Sequence, residues 1–230
     1  MGTDALFEGN YGTLIVGMEV SPINANASFQ NFASTGMKMT GYTWAGFGAW
    51  IDGSWRAGLQ FGQERLRTHV EDDYIGTDAK LTLTAFSIQG VAAYEGRLDD
   101  DTWFEPSAAL GYTSVDGGSF VDGTGATVSF GSTQSVLAEI RARIGRTYDI
   151  DYALLKPHAD FGLAYEFDGS TVVSIGSFAG SSGLQGLTAQ GGGGIDLEIG
   201  DNLSLFVDAL YAGGAKESGW QGHVGLRLIR

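Results

Sequence analysis

Cysteine is absent from the 230 residues. That excludes disulfides, thiol catalysis and Cys-ligated metals, and it suits passage through an oxidising compartment. Proline occurs only 3 times. Cations are scarce: 13 Lys and Arg stand against 27 Asp and Glu, for a net charge of −14. Nucleic acid is thereby excluded as a partner, because neutralising phosphates needs clustered cations. No apolar run approaches the ~18 residues that a transmembrane helix requires. Charged residues make up only 17%, below the usual ~25%. No signal peptide opens the chain, and Met1-Gly2-Thr3 reads as a start placed where a longer precursor was cut. Glycine, by contrast, is abundant at 37 residues, and aromatics reach 12%. Mean hydropathy is zero, so apolar residues are numerous but interleaved with small and polar ones.

The interleaving has period two, the signature of strands with two unlike faces. Leu14, Val16, Met18 and Val20 alternate with Thr13, Ile15, Gly17 and Glu19. Trp55, Ala57, Leu59 and Phe61 alternate with Arg56, Gly58, Gln60 and Gly62. Similar runs start at Phe86, Phe104 and Ile140. The run Leu155, Pro157, Ala159, Phe161, Leu163, Tyr165, Phe167 opposes Lys156, His158, Asp160, Gly162, Ala164 and Glu166. Runs from Ile195, Leu203 and Val224 follow, and residues 41–51 add one more, making ten. Asp52-Gly53-Ser54, Asp99-Asp100-Asp101, Asp149-Ile150-Asp151 and Gly200-Asp201-Asn202 mark short turns. Longer polar stretches at 21–36, 64–80, 113–133, 168–183 and 213–219 alternate with them and are expected to be loops. Short turns at one end and long loops at the other predict an all-β, antiparallel, up-and-down transmembrane β-barrel of about ten strands, with twelve as the alternative. With no linker or composition shift, residues 1–230 read as a single domain.

The two faces decide between membrane and water. One face of each run is almost purely apolar, while the other mixes Gly, Ala and Ser with charges. A packed soluble core could not hold such charges without large desolvation costs, whereas a wet lumen can. A soluble sandwich or lipocalin-like barrel would place its apolar set inside instead. By phase, the residues predicted to line the lumen are Glu105, Glu139, Arg141, Arg143, Lys156, His158, Asp160, Glu166, Asp208, His223 and Arg227. Glu19, Arg56, Asp196 and Glu198 share that phase. Arg141 and Arg143, flanked by acids, suggest an ionic belt that lines a pore or grips a polar helix, or simply keeps the lumen wet. Trp55, Phe104, Tyr112, Tyr165, Phe167 and Tyr211 fall near the ends of the apolar faces, where interfacial girdles belong.

Catalysis and cofactors find little support in the residue pattern. His158 and Asp160 could form a dyad, but the pattern offers no convergent nucleophile, and His69 is expected in an exposed loop. Asp99-Asp100-Asp101 and Glu71-Asp72-Asp73 read as solvated turns. Gly191-Gly192-Gly193-Gly194 lacks the following Lys of a phosphate loop and instead permits curvature or close packing against the wall. No enzyme activity, cofactor or metal is therefore expected.

Several stretches, taken in order, resemble the translocator domain of autotransporters, the barrels of type V secretion. They are Thr102-Trp103-Phe104-Glu105-Pro106, Ala142-Arg143-Ile144-Gly145-Arg146, Leu155-Lys156-Pro157-His158-Ala159, Asp201-Asn202-Leu203-Ser204-Leu205 and Gly222-His223-Val224-Gly225-Leu226-Arg227. The resemblance covers most of the chain and implies a bacterial outer-membrane location, outer-membrane lipid and the assembly machinery as partners, and a monomer. It also implies a passenger polypeptide that the parent protein anchors and exports. Alternatives are a passive porin-like pore or an engineered barrel scaffold, and further off a ten-stranded outer-membrane hydrolase. Such barrels usually have twelve strands and a helix in the pore. The ten runs here match the last ten strands, and residues 2–10 could hold at most one short strand more. His158 stands where the family usually has an aromatic, and Leu228-Ile229-Arg230 replaces the usual terminal aromatic, which implies an altered insertion signal. A natural fragment, a shortened chain or a redesign would each account for these departures.

Overall fold

A computed structural model of the chain describes residues 2–28, 35–73, 76–183, 185–200, 203–214 and 218–228. Every regular element among them is a strand. Eleven strands form one antiparallel wall in sequence order. They are β1 (Gly2–Gly9), β2 (Gly12–Ser28), β3 (Thr35–Asp52), β4 (Trp55–Asp72), β5 (Thr77–Tyr94) and β6 (Thr102–Val115). The wall continues with β7 (Thr133–Arg146), β8 (Ala153–Glu166), β9 (Gly186–Ile199), β10 (Leu203–Gly214) and β11 (Ser218–Leu228). The ten predicted runs are β2 to β11, and the eleventh strand is the short one that residues 2–10 could hold. Among the described residues no pairing joins the end strands β1 and β11. Ile229 and Arg230, which carry the expectation of an altered terminal signal, lie outside the described residues, as does the Asp201-Asn202 turn.

The wall is inside-out relative to a soluble domain. Its buried hydrophobic residues are all alanines, namely Ala45, Ala79, Ala85 and Ala164, and no large hydrophobic residue is buried among the described residues of the wall. The buried polar residues include His158 and Asp160, whereas Ile140, Phe161, Leu163, Ile195 and Val207 are exposed. In water, exposing so much apolar surface would forfeit about 25 cal/mol per Å²; lipid removes that cost. Aromatics gather at both ends of the outer face. Trp55 packs on Tyr94 at 5.0 Å and Tyr94 on Phe104 at 6.4 Å near the short turns. Tyr165 meets Phe167 at 4.8 Å and Tyr211 meets Trp220 at 5.0 Å near the opposite end.

Several of the expected loops are instead strands. β2 to β5 run for 17 or 18 residues, against the ~9–11 needed to cross a bilayer. They therefore project beyond the apolar band and absorb much of 21–36 and 64–80. His69 accordingly sits on β4 and not in a loop; its Nε2 lies 2.7 Å from Asp78 Oδ1 and 3.4 Å from Glu71 Oε1. The stretches 113–133 and 168–183 fold into hairpins that join as a second sheet of four strands. Its order is Phe178–Gly183, Ser170–Ile175, Thr127–Phe130, Gly118–Val121. At the other end the turns are tight. Asp99 Oδ1 accepts hydrogen bonds from the Asp101 and Thr102 amides at 2.9 and 2.6 Å. Those amides, Thr102 first, hold the Asp99 carboxyl below the ordinary carboxylate range.

Candidate functional site: the charged concave face

Strand register places the predicted polar residues in rows across the inner face. One row runs Glu105, Arg143, Asp160, Gly192, Leu210 from β6 to β10. The next runs Trp103, Gly145, His158, Gly194, Asp208, His223 from β6 to β11. Arg143 Nη2 lies 3.8 Å from Asp208 Oδ1, although β8 and β9 intervene. Three strand spacings of ~4.8 Å amount to ~14 Å along the sheet. Side chains bridge such a span only on a concave face, where neighbouring strands tilt their residues together.

The rows alternate large and vanishing side chains. A Cβ on Gly145 would lie 2.4 Å from the Trp103 ring, and one on Gly194 would lie 2.8 Å from His158 Nε2. Trp103 therefore folds over Gly145, and His158 over Gly194. The two rings end 6.2 Å apart.

Ion pairs tie the rows together. Arg143 Nε donates to Asp160 Oδ1 at 2.8 Å, and only 6% of the Asp160 side chain is exposed. His158 Nε2 lies 2.9 Å from Asp208 Oδ1 and 3.5 Å from Asp160 Oδ2. Lys156 Nζ donates to Glu198 Oε1 at 2.7 Å. Arg141 Nη2 meets Glu139 Oε1 at 2.7 Å and Gln190 Oε1 at 3.3 Å. Arg56 joins Glu105 at 2.5 Å and also Glu95. Beneath these groups, toward the short turns, a cavity of about 930 Å³ is lined by Arg56, Trp103, Arg143, Lys156, Asp196 and Glu198 among others.

The predicted set is thus largely brought together, with two reassignments. Lys156 takes its partner, Glu198, from β9 and stands apart from the arginine belt of β7. Glu166 leaves the belt: it accepts from Ser135 Oγ at 2.6 Å and the Val136 amide at 2.9 Å, fastening β8 to β7 below the second sheet. His223 is engaged with Gln221 at 3.1 Å. The Arg227 side chain lies outside the described residues. His158 and Asp160 are neighbours as expected, but Asp208 joins them, which no spacing within one strand could reveal. Trp103, Gln190 and Glu95 were missed: Trp103 and Gln190 carry the inner phase of their strands without a charge to flag it, and Glu95 sits at a strand end.

Comparison with known proteins agrees with this architecture. A family model described as Autotransporter beta-domain matches residues 1–209. The Autotransporter adhesin/invasin TibA of Escherichia coli O78:H11 is 26% identical over 133 residues, covering 57% of this chain and 13% of that protein. The chain therefore matches only about an eighth of that relative's length. The crystal structure of the β-domain of the Bordetella autotransporter BrkA superposes with a TM-score of 0.84 at 19% identity, covering 100% of this chain and 88% of that one. The transport unit of the autotransporter AIDA-I from Escherichia coli gives 0.84 at 15% identity, covering 100% and 80%. The inside-out wall, the aromatic ends and the family match together place the chain in the bacterial outer membrane, and the chain belongs to the autotransporter β-domain family, the translocator barrels of that secretion route.

Proposed function

We propose that residues 1–230 act as one barrel domain that anchors a passenger polypeptide of a longer parent and provides its exit route. In this reading the domain is monomeric, is inserted by the outer-membrane assembly machinery and has no enzyme activity of its own. The observation that carries it is the inverted wall: apolar side chains point outward and ion pairs such as Arg143–Asp160 and Lys156–Glu198 point inward. A hydrated interior lined mostly by charged and polar groups offers a polar chain little apolar surface to adhere to. In cells making the full-length parent, protease added outside should cleave the passenger. Removing residues 1–230 should leave it protected in the periplasm. A passenger that still reaches the surface without them would overturn the assignment.

The inward charges are proposed to bias what enters. Arg141 is the clean probe, because its partners Glu139 and Gln190 are themselves partly exposed, whereas Arg143 holds the buried Asp160. In planar bilayers, Arg141→Glu should leave the chain folded and shift its ion selectivity toward cations. Unchanged selectivity in a conducting, folded variant would remove Arg141 from the passage.

A further inference from the structure

His158, Asp160 and Asp208 each present one ligand atom, all within 4.8 Å of one another. We propose that these three side chains form a binding site for a zinc-class divalent cation that staples β8 to β10 across β9. The donor set is one imidazole nitrogen and two carboxylate oxygens, which suits Zn²⁺ better than Ca²⁺ or Mg²⁺, ions that take oxygen ligands almost alone. The spacing also fits. With metal–ligand bonds of ~2.1 Å, the ligand atoms of a tetrahedral zinc stand ~3.4 Å apart. Here His158 Nε2 lies 3.5 Å from Asp160 Oδ2, and its 2.9 Å contact with Asp208 Oδ1 is a hydrogen bond that a bound ion would replace, drawing the two atoms ~0.5 Å further apart.

Two independent features point to an ion. The first is the other ring nitrogen. None of the His158 side chain is exposed, and its Nδ1 is buried without a hydrogen-bond partner, 3.6 Å from Asp196 Oδ2. Metal-bound histidines characteristically donate that second N–H to a carboxylate, which fixes the ring and the tautomer. Asp196 stands where such a carboxylate belongs, and a small closure of the ring toward it would leave the Nε2 lone pair aimed at Asp160 and Asp208. The second feature is Gly194, which lies between His158 and Asp208 in the same row. A Cβ there would come 2.4 Å from Asp208 Oδ1, 2.6 Å from the Val207 carbonyl oxygen and 2.8 Å from His158 Nε2. The glycine keeps empty the space beside the ligand atoms that an ion would use.

The local charge is unbalanced in the direction a cation would correct. Asp160, Asp196 and Asp208 surround the ring, and Arg143 is the cation that contacts two of them. Lys156 is committed to Glu198. Arg143 bonds Asp160 through Oδ1, leaving Oδ2 turned toward His158. A fourth position would be filled by water from the cavity that Asp196, Arg143 and Trp103 line.

The test is calorimetric titration of Zn²⁺ into the untagged, metal-stripped chain folded in detergent. One ion should bind per chain. Asp208→Asn and His158→Gln should abolish that binding. Asp196→Asn removes no ligand and should keep the site while weakening it about 10- to 100-fold. His69→Ala should change nothing, although His69 also sits among acids. Absence of stoichiometric binding in the wild-type chain would overturn the proposal. So would an affinity in folded Asp196→Asn equal to wild type, or a loss of binding in His69→Ala. Should Asp208→Asn not fold, the Asp196→Asn affinity alone decides.

Discussion

Replacing Arg143 with Ala should destabilise the folded chain by about 3 kcal/mol, the lower end of what is lost when one partner of a buried ion pair is removed. The reason lies in what is left behind. The Asp160 side chain is 6% exposed, and Arg143 Nε donates to it at 2.8 Å. Without the guanidinium, a carboxylate shielded from water is left facing Asp208 and the His158 ring. The reciprocal change should be milder. Arg143 is 31% exposed and already stands 3.8 Å from Asp208, so in Asp160→Ala it can turn to a second acid and to water. A loss of about 1–2 kcal/mol is expected there. Arg146→Ala, which breaks an outer pair with Asp101 whose members are both about half exposed, should lose at most about 1 kcal/mol. Urea unfolding from lipid vesicles gives all three values. Equal losses for Arg143→Ala and Arg146→Ala would mean that the Asp160 site is wet, and that the belt contributes no more than a surface pair.

That asymmetry was only partly legible in the amino-acid order. The alternation from Leu155 to Phe167 is unbroken, so the face carrying Lys156, His158 and Asp160 could be read directly. Which of them meets which neighbour could not. Register is set by turn geometry. Here the turn after β7 contains an extra short strand, Tyr148–Ile150, paired to the start of β8. That turn puts Arg143 opposite Asp160 and Gly145 opposite His158, so Lys156 lies beyond the end of β7 and reaches for Glu198 on the far side. The junction of His158 with Asp208 was further out of reach, because it depends on three strands in register and on a glycine between them.

The long arms of β2 to β5 escaped for a different reason. From Glu64 to Asp72 the phase that carries Trp55, Ala57, Leu59 and Phe61 passes to Gln63, Arg65, Arg67 and His69, so the apolar run breaks off and the segment reads as polar loop. The hairpins of the second sheet failed by length: strands of four to six residues such as Thr127–Phe130 and Ser170–Ile175 are too short for a period of two to stand out from glycine-rich surroundings. Composition and face chemistry thus carry the membrane assignment and the inward belt, while register and strand extension need the assembled wall.

Gly192→Ala should be far more damaging than Gly191→Ala, though both add one methyl group to the same glycine run. A Cβ at Gly192 would sit 2.2 Å from the Ala209 carbonyl oxygen and 2.9 Å from Leu210 Cα, both main-chain atoms of β10. No rotamer change relieves a clash with backbone. β9 and β10 must move apart, and the ladder that pairs Gly192 with Leu210 and Gly193 with Ala209 must loosen. Losing a few ladder hydrogen bonds at about 1 kcal/mol each, in a membrane that offers no water to replace them, amounts to at least about 3 kcal/mol. Assembly should fail or fall sharply. At Gly191 nothing lies within 4 Å of the added atom, and its phase points it outward. There the methyl group meets lipid and removes the ~0.5–1 kcal/mol that glycine's backbone freedom costs in an ordered segment, so Gly191→Ala should be neutral or slightly stabilising. The comparison is read from the fraction of chain that migrates as the compact, unheated barrel on gels, and from urea midpoints in vesicles. Similar behaviour of the two variants would mean that β9 and β10 are not held as close at Gly192 as the register requires, and the close approach of these strands beneath the His158 row would have to be abandoned.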